Sequence, residues 1–290
     1  MPSLRHLARR GRAILRNHRA RWVTKRALGA VAAFPTVAEQ TAHGLPYPLM
    51  VSLTSYPPRF PTLALTLRSL LDQRTRADRT VLWVTPEEEA GLPADVLALR
   101  DHGLEVAHAP ELRSYKKLVP TLEAHPGWAI ATADDDLYYP PDWLSRLVAA
   151  ARAQPGAIVG LRCHMARTNA GGRLLPYNEW EYETAATEAR QVGERLFPTG
   201  GAGVLYPPGT LSPRTLDRDT FMRLCPSADD VWFFWMARLA GTEHRRASGT
   251  LPLVTWPDSQ EVALFRRNVT EDSGNDQAIR ALEAELGPVP

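Results

Sequence analysis

With 290 residues, 44% of them hydrophobic and 23% charged, the chain has the composition of an ordinary globular protein with ample material for a core. Its net charge of +2 conceals an asymmetry: nine of the 34 basic residues fall in the first 30 positions and no acid precedes Glu39, so the rest carries 25 basic against 32 acidic residues. A mildly acidic body excludes general nucleic-acid binding by that body, and two cysteines, Cys163 and Cys225, exclude a disulfide framework and suit a reducing cytoplasm.

No apolar run approaches the length of a membrane span, and the start of the chain lacks a signal-peptide core. Residues 3–28 predict a basic amphipathic helix, with Leu4, Leu7, Ile14, Leu15 and Trp22 on one stripe and Arg5, Arg9, Arg12 and Arg16 on another. Such a helix can lie on an anionic membrane surface; packing on the body or a disordered arm would also account for the pattern. Residues 29–47, broken by Pro35, Gly44 and Pro46, read as a linker. The expected organisation is a basic arm over 1–45 and one domain over 46–290.

From Leu49 strands and helices alternate. Strands are expected at 49–54, 79–84, 104–107, 128–133 and 157–161, with helices at 62–72, 93–102, up to His125 and at 141–153. That alternation implies an α/β fold with a mostly parallel sheet covered on both faces. Residues 162–213 read as irregular and rich in Gly, Pro and aromatics, a length that in a compact domain usually serves function. Helices are expected at 218–224, 229–240 and 276–286.

The apolar run Trp128–Ala133 empties into Asp134, Asp135 and Asp136. Three adjacent carboxylates repel one another and nothing basic adjoins them in sequence, so the expected partner is a hard cation, Mg2+ or Mn2+. A strand end in an open α/β sheet is also where ligand crevices form. A solvated turn that caps the next helix through Asp136 or Asp142 is the alternative. The earlier strand ends in Thr54-Ser-Tyr56, with Arg59 close behind: hydroxyls, a ring and a planar cation suited to nucleoside and phosphate contacts. Lys116 and Lys117 precede the acidic strand as point charges or a solvated pair. Asp229 and Asp230 open a predicted helix, where they could cap it or provide a base. The run Thr199–Gly203 would let backbone approach a ligand closely. Trp180, Tyr182, Trp232 and Trp235 are candidates for stacking on sugars, with Trp235 equally suited to the core, and His164 reads first as a structural histidine.

Taken in order, Thr54-Ser-Tyr-Pro-Pro-Arg59, Asp134-Asp-Asp136, Thr199-Gly-Gly-Ala-Gly-Val-Leu-Tyr206 and Asp229-Asp-Val-Trp232 resemble glycosyltransferases of the GT-A fold, family-2-like enzymes of bacterial surface or capsular polysaccharide type. The resemblance spans residues 49–280. It implies a Rossmann-like sheet with a donor nucleotide half over 46–140 and an acceptor half over 141–290. It implies Asp136 and Asp134 as metal ligands, and Thr54, Tyr56, Arg59, Lys117, Asp134 and Asp135 as donor contacts. Acceptor contacts would come from Gly200, Gly201, Ala202 and Trp232, and the base from Asp230, second of the pair with Asp229. The implied activity is metal-dependent, inverting transfer from a nucleotide sugar, UDP-sugar favoured, to a glycan or lipid-linked acceptor. Asn275-Asp276 resembles a pair that closes the family's domain.

Two other readings compete. A Mg2+-dependent phosphotransferase could use Asp-x-Asp, although the aspartyl-phosphate type needs it at the first strand, which here ends in Thr-Ser-Tyr. A membrane-attached scaffold could keep nucleotide-sugar binding without turnover.

Overall fold

The computed structural model describes residues 21–184, 195–247, 251–257, 259 and 274–289. Of the basic arm, residues 21–32 are helical (α1), and positions 3–20 lie outside the described residues. Ala27 and Val31 of α1 pack on Val254 and Trp256 of the body, while Trp22 stays 57% exposed with the Arg26 guanidinium 4.7 Å from its ring. Among the described residues no helix is long and apolar enough to cross a membrane. The stretch expected to be a linker is pinned to the body. The amides of Thr36 and Val37 donate to Asp72 Oδ1 at 2.9 and 2.8 Å, and Thr41–Ala42 (β1) pairs in parallel with residues 75–76.

The alternation expected from Leu49 is present as Leu49–Thr54 (β2), Phe60–Leu71 (α2), Thr75–Arg76 (β3), Arg79–Val84 (β4), Pro86–Glu89 (α3), Ala94–Leu97 (α4), Leu104–His108 (β5), Val119–Ala124 (α5), Ala129–Thr132 (β6) and Trp143–Ala153 (α6). Beyond it come Ile158–Gly160 (β7), Cys163–Met165 (β8), Leu196–Pro198 (β9), Val204–Tyr206 (β10), Arg218–Leu224 (α7), Asp229–Leu239 (α8), His244–Arg246 (β11) and Gly274–Leu286 (α9). The section read as irregular thus holds an antiparallel pair, β8 with β9, and a strand of the main sheet. The helix expected over 93–102 is α4 followed by a tighter turn to His102, which Gly103 stops at φ 92°.

Seven strands form the main sheet in the order β11-β7-β10-β6-β2-β4-β5. Neighbours run parallel except that β10 is antiparallel to both β6 and β7. This is the α/β, mostly parallel, helix-flanked architecture that the alternation of strands and helices implied, and it is consistent with the GT-A fold that the sequence resembles. The two-residue period of a strand sends alternate side chains to opposite layers. Leu49, Val51 and Leu53 of β2 meet α2 and α6 through Leu63, Leu67, Trp143 and Leu147. On the other face Ile130, Val204 and Tyr206 meet Trp232 and Phe233 of α8 and Ile279 and Leu282 of α9. Burying each of these aliphatic side chains stabilises the fold by about 1.5–3 kcal/mol, so the two layers hold the sheet between them. Because β2 and β6 pair in parallel with Ser52 opposite Thr132, the residues that follow both strands emerge side by side.

Candidate active site

The three consecutive carboxylates point to three different partners. Asp134 Oδ1 accepts from Lys117 Nζ at 2.9 Å, Asp135 Oδ2 from Ser55 Oγ at 2.5 Å, and Asp136 Oδ2 from Arg59 Nη1 at 2.7 Å. Both members of the Arg59–Asp136 pair are largely buried, with side chains 7% and 13% exposed. Nothing basic adjoins the triplet in sequence, yet the fold brings two cations to it. Arg59 lies 77 positions from its acid and Lys117 17 positions from its own, and both reach the triplet because parallel strands deliver their loops to one sheet edge. Asp142 precedes α6 without capping it by its side chain. Burial above all pushes the Asp135 carboxyl up to about 7, with repulsion from Asp136 and Asp134 adding and the Ser55 hydrogen bond opposing.

The second acidic pair comes to the same place. Asp229 and Asp230 occupy the first turn of α8, whose N-cap is Ala228 with no side-chain cap, so neither acid caps the helix by its side chain. Asp229 Oδ1 accepts from Ser114 Oγ at 2.8 Å, and its Oδ2 lies 3.0 Å from Lys117 Nζ. Asp230 Oδ2 accepts the Gly200 amide at 2.9 Å. Burial, then the charge of Asp229, raises the Asp230 carboxyl to about 7 against the pull of Lys117 and the Gly200 N–H. Lys117 is buried. That burial alone would lower its pKa, but Asp134, Asp229 and Asp230 outweigh it and hold the ammonium well above the usual lysine value.

The glycine-rich turn threads between the two acid sets, and geometry requires its small residues. A Cβ on Gly200 would sit 2.8 Å from Lys117 Nζ and 2.9 Å from Asp230 Oδ1. Gly203 has φ 98°, and a Cβ there would lie 2.5 Å from Trp143 Nε1, which itself donates to Ala202 O at 2.8 Å. Tyr139 completes the clamp. Its hydroxyl accepts the Asp134 amide at 2.8 Å and donates to Gly201 O at 3.0 Å. Neither Tyr139 nor Ser114 stood out in the sequence, since one reads as an apolar position before a helix and the other as a loop serine.

Of the other candidate residues, Thr54 spends its hydroxyl on Trp83 O at 2.8 Å, while Tyr56 is 38% exposed on the same loop. Lys116 is not a solvated partner of Lys117: it is buried and pairs with Glu88 and Glu111, each at 2.7 Å. Trp232 is fully buried, with its indole N–H on Thr215 O at 3.2 Å, and has no open face for a sugar. That corrects its expected place among the acceptor contacts: one turn into α8, its position faces the apolar layer. Trp180 and Trp235 are likewise buried. Burial first, and Arg162 after it, pushes His164 down to about 3, and its Nδ1 accepts the Glu183 amide at 2.9 Å, as befits a structural histidine. Asp276 accepts the Tyr177 amide at 2.7 Å and so ties α9 to the 177–179 turn.

Among the described residues no three His, Cys, Asp or Glu groups converge to hold a metal by themselves. Asp134 and Asp136 nevertheless suit a small hard cation that draws its remaining ligands from phosphate and water. Lys117 engages Asp134 through Oδ1, and Oδ2 faces Gly201, where a Cβ would come within 3.3 Å. The hollow lined by Arg173, Arg280, Glu283, Ala284 and Pro288 includes none of these acids.

No family model matches the chain, and no curated protein matches its sequence. Solved structures similar to it include a mannosyltransferase from Pyrobaculum calidifontis in complex with GDP-Man and Mn2+, 16% identical, covering 93% of this chain and 84% of that one with a TM-score of 0.44. Glucosyl-3-phosphoglycerate synthase from Mycobacterium tuberculosis, in complex with Mn2+, UDP and glucosyl-3-phosphoglycerate, is 14% identical over 84% of this chain and 81% of that one, with a TM-score of 0.43. A 4-diphosphocytidyl-2C-methyl-D-erythritol synthase is 15% identical over 76% and 98%, also at 0.43.

Proposed function

We propose that the chain is an inverting glycosyltransferase that moves a sugar from a nucleotide-sugar donor, favouring UDP, to a glycan or lipid-linked acceptor in cell-surface polysaccharide synthesis. The observation that carries this reading is the convergence of two acid sets, about a hundred residues apart, on one buried lysine within 3.0 Å. Residues 46–140 form the donor half and 141–290 the acceptor half, with 1–45 as a basic arm that can rest on an anionic membrane through α1 and exposed Trp22. Asp134 and Asp136 would hold Mn2+ or Mg2+, which supplies neutralisation of the charge growing on the leaving diphosphate. Arg59 and Lys117, fixed by those carboxylates, add positive charge on the same side. The exposed ring of Tyr56 offers a face to the nucleobase, and Ser55 with Asp135 offers hydrogen bonds to ribose or sugar hydroxyls. Asp230 takes the proton from the attacking acceptor hydroxyl, a role that needs its carboxyl ionised and close to the glycine turn. Gly200, Gly201 and Ala202 let the acceptor approach that carboxylate.

The test is a thermal-shift screen of UDP- and GDP-sugars with and without Mn2+, followed by nucleotide release. The expected outcome is linked stabilisation of about 2–3 kcal/mol at a hundred-fold excess over Kd, seen only with metal and donor together, and metal-dependent nucleotide release. Absence of both with every donor would sink the reading; binding without turnover would leave a scaffold. Association with phosphatidylglycerol vesicles that weakens in Trp22→Ala tests the membrane contact.

A further inference from the structure

The turn Arg113–Lys117 carries more than its lysine. It reaches the segment that joins α7 to α8 and the first residue of α8, 110 to 115 positions away in sequence, by three hydrogen bonds. Arg113 Nη1 donates to Pro226 O at 3.1 Å, Ser114 Oγ to Asp229 Oδ1 at 2.8 Å, and Tyr115 OH to Cys225 O at 2.7 Å. Lys117 adds the 3.0 Å ion pair with Asp229 Oδ2, and the Tyr115 ring stacks on Phe221 with centroids 4.1 Å apart. On the other side the turn is tied to the donor-side strands: Ser52 Oγ of β2 donates to Lys117 O at 2.6 Å, and Lys117 Nζ to Asp134 Oδ1 at 2.9 Å. Arg113 itself sits at φ 54°, in the left-handed region that a residue with a side chain occupies only when its surroundings fix it there.

We propose that this turn is a bracket setting the separation between Asp134 on the donor side and Asp230 on the acceptor side, with Ser114 and Asp229 as its positioning residues. The proposal rests on the glycosyltransferase reading of the same site. Asp229 accepts a hydrogen bond from Ser114 at Oδ1, while Oδ2 is buried, makes no hydrogen bond and is held by charge, 3.0 Å from Lys117 Nζ. Asp230 gives Oδ2 to the Gly200 amide and turns Oδ1 toward the side on which Gly200 lacks a side chain. One acid of the pair is thus an anchor and its neighbour is left to take a proton. A base must sit within hydrogen-bond reach of the hydroxyl it serves, and an error of about 1 Å in such placement lowers rate on the order of a hundred-fold. A bracket that fixes the backbone just before Asp230 controls that distance without touching substrate.

The experiment measures Mn2+-dependent nucleotide release by the full chain, using whichever of UDP-glucose, UDP-N-acetylglucosamine and GDP-mannose the wild type turns over. In Ser114→Ala, kcat falls by about 10- to 100-fold while the donor KM stays within roughly two-fold, and Ser114→Thr restores most of the loss. Combining Ser114→Ala with Asp229→Asn loses no more than Asp229→Asn alone, because the two share one contact. Wild-type kcat in Ser114→Ala, or a donor KM that rises as kcat falls, overturns the bracket. Hydrogen exchange of the amides at 200–203 and 229–231 needs no turnover; it quickens in Ser114→Ala, and unchanged exchange also overturns the proposal. A wild-type protein that releases nucleotide from no donor fails the glycosyltransferase reading, while the exchange result still decides the bracket.

Discussion

The triplet Asp134–Asp136 and the pair Asp229–Asp230 meet at one lysine but are wired in opposite ways. Asp134, Asp135 and Asp136, adjacent in sequence, disperse onto Lys117, Ser55 and Arg59, which come from separate loops. Asp229 and Asp230 converge instead, one on Ser114 and Lys117 and the other on the Gly200 amide a few ångströms away. Dispersal gives each of three acids crowded at one strand end a partner of its own. Convergence leaves Asp230 with its neighbour's charge as the second cause, after burial, of a carboxyl near 7. Asp135 reaches a similar value chiefly through burial, and its hydroxyl partner opposes the rise. Crowding along a sequence is therefore a poor guide to crowding in space, and what each acid can do follows from its partners.

The contrast breaks most sharply at Asp230. Asp230→Asn is expected to lower transfer by about a thousand-fold, within the usual range for loss of a general base, while the donor-dependent thermal shift stays as in wild type. Near-normal transfer would remove the base assignment. Asp136→Ala should act the other way round, losing metal-dependent donor binding. It should also cost about 3 kcal/mol of stability, because Arg59 is left buried without that carboxylate; titration calorimetry and denaturant melts separate the two effects. The pH dependence carries a definite sign. The Asp230 carboxyl is raised from 3.8 to about 7, so between those values the folded protein keeps a proton that the unfolded chain has released. Its contribution to stability is present at pH 4 and is lost as pH rises through 7, while kcat/KM rises over the upper part of the same interval as the base ionises. Asp230→Asn, neutral throughout, should then be more stable than wild type at pH 8 by about 1–3 kcal/mol, and equal melts at pH 5 and pH 8 for both proteins would refute this. Ser55→Ala is the mildest change. It removes the hydroxyl from Asp135 and should weaken donor-linked stabilisation by about 1 kcal/mol, with no change in the pH at which transfer rises.

How far the site could be read from sequence depends on the range of each interaction. The apolar run before Asp134 and the largely apolar stretch Leu49–Thr54 are local, and β6 and β2 lie within a residue of where those stretches put them. The three-residue strands β8, β9 and β10 carry too little periodicity to stand out in a Gly- and Pro-rich stretch, and they form because neighbouring strands supply their hydrogen bonds. Arg59 with Asp136 and Ser114 with Asp229 are pairs between loops, invisible until the sheet order brings those loops together. Trp232 misled for a related reason: its place beside two acids suggested a site, whereas the 100° step of a helix turns it into the apolar layer.

One consequence of β10 concerns direction. A strand parallel to β6 would hand the site the chain that leaves its far end, as β2 and β6 themselves do. Because β10 runs the other way, with Val204 opposite Thr132, it is the chain entering the strand that arrives over the acids. The ceiling of the site is therefore inherited from upstream, from the segment of β9 and the Thr199–Gly203 turn, and the chain after Tyr206 departs at the opposite edge. Variation in the length or composition of that upstream segment can reshape what rests against Asp230 while the floor, made by β2 and β6, stays as it is.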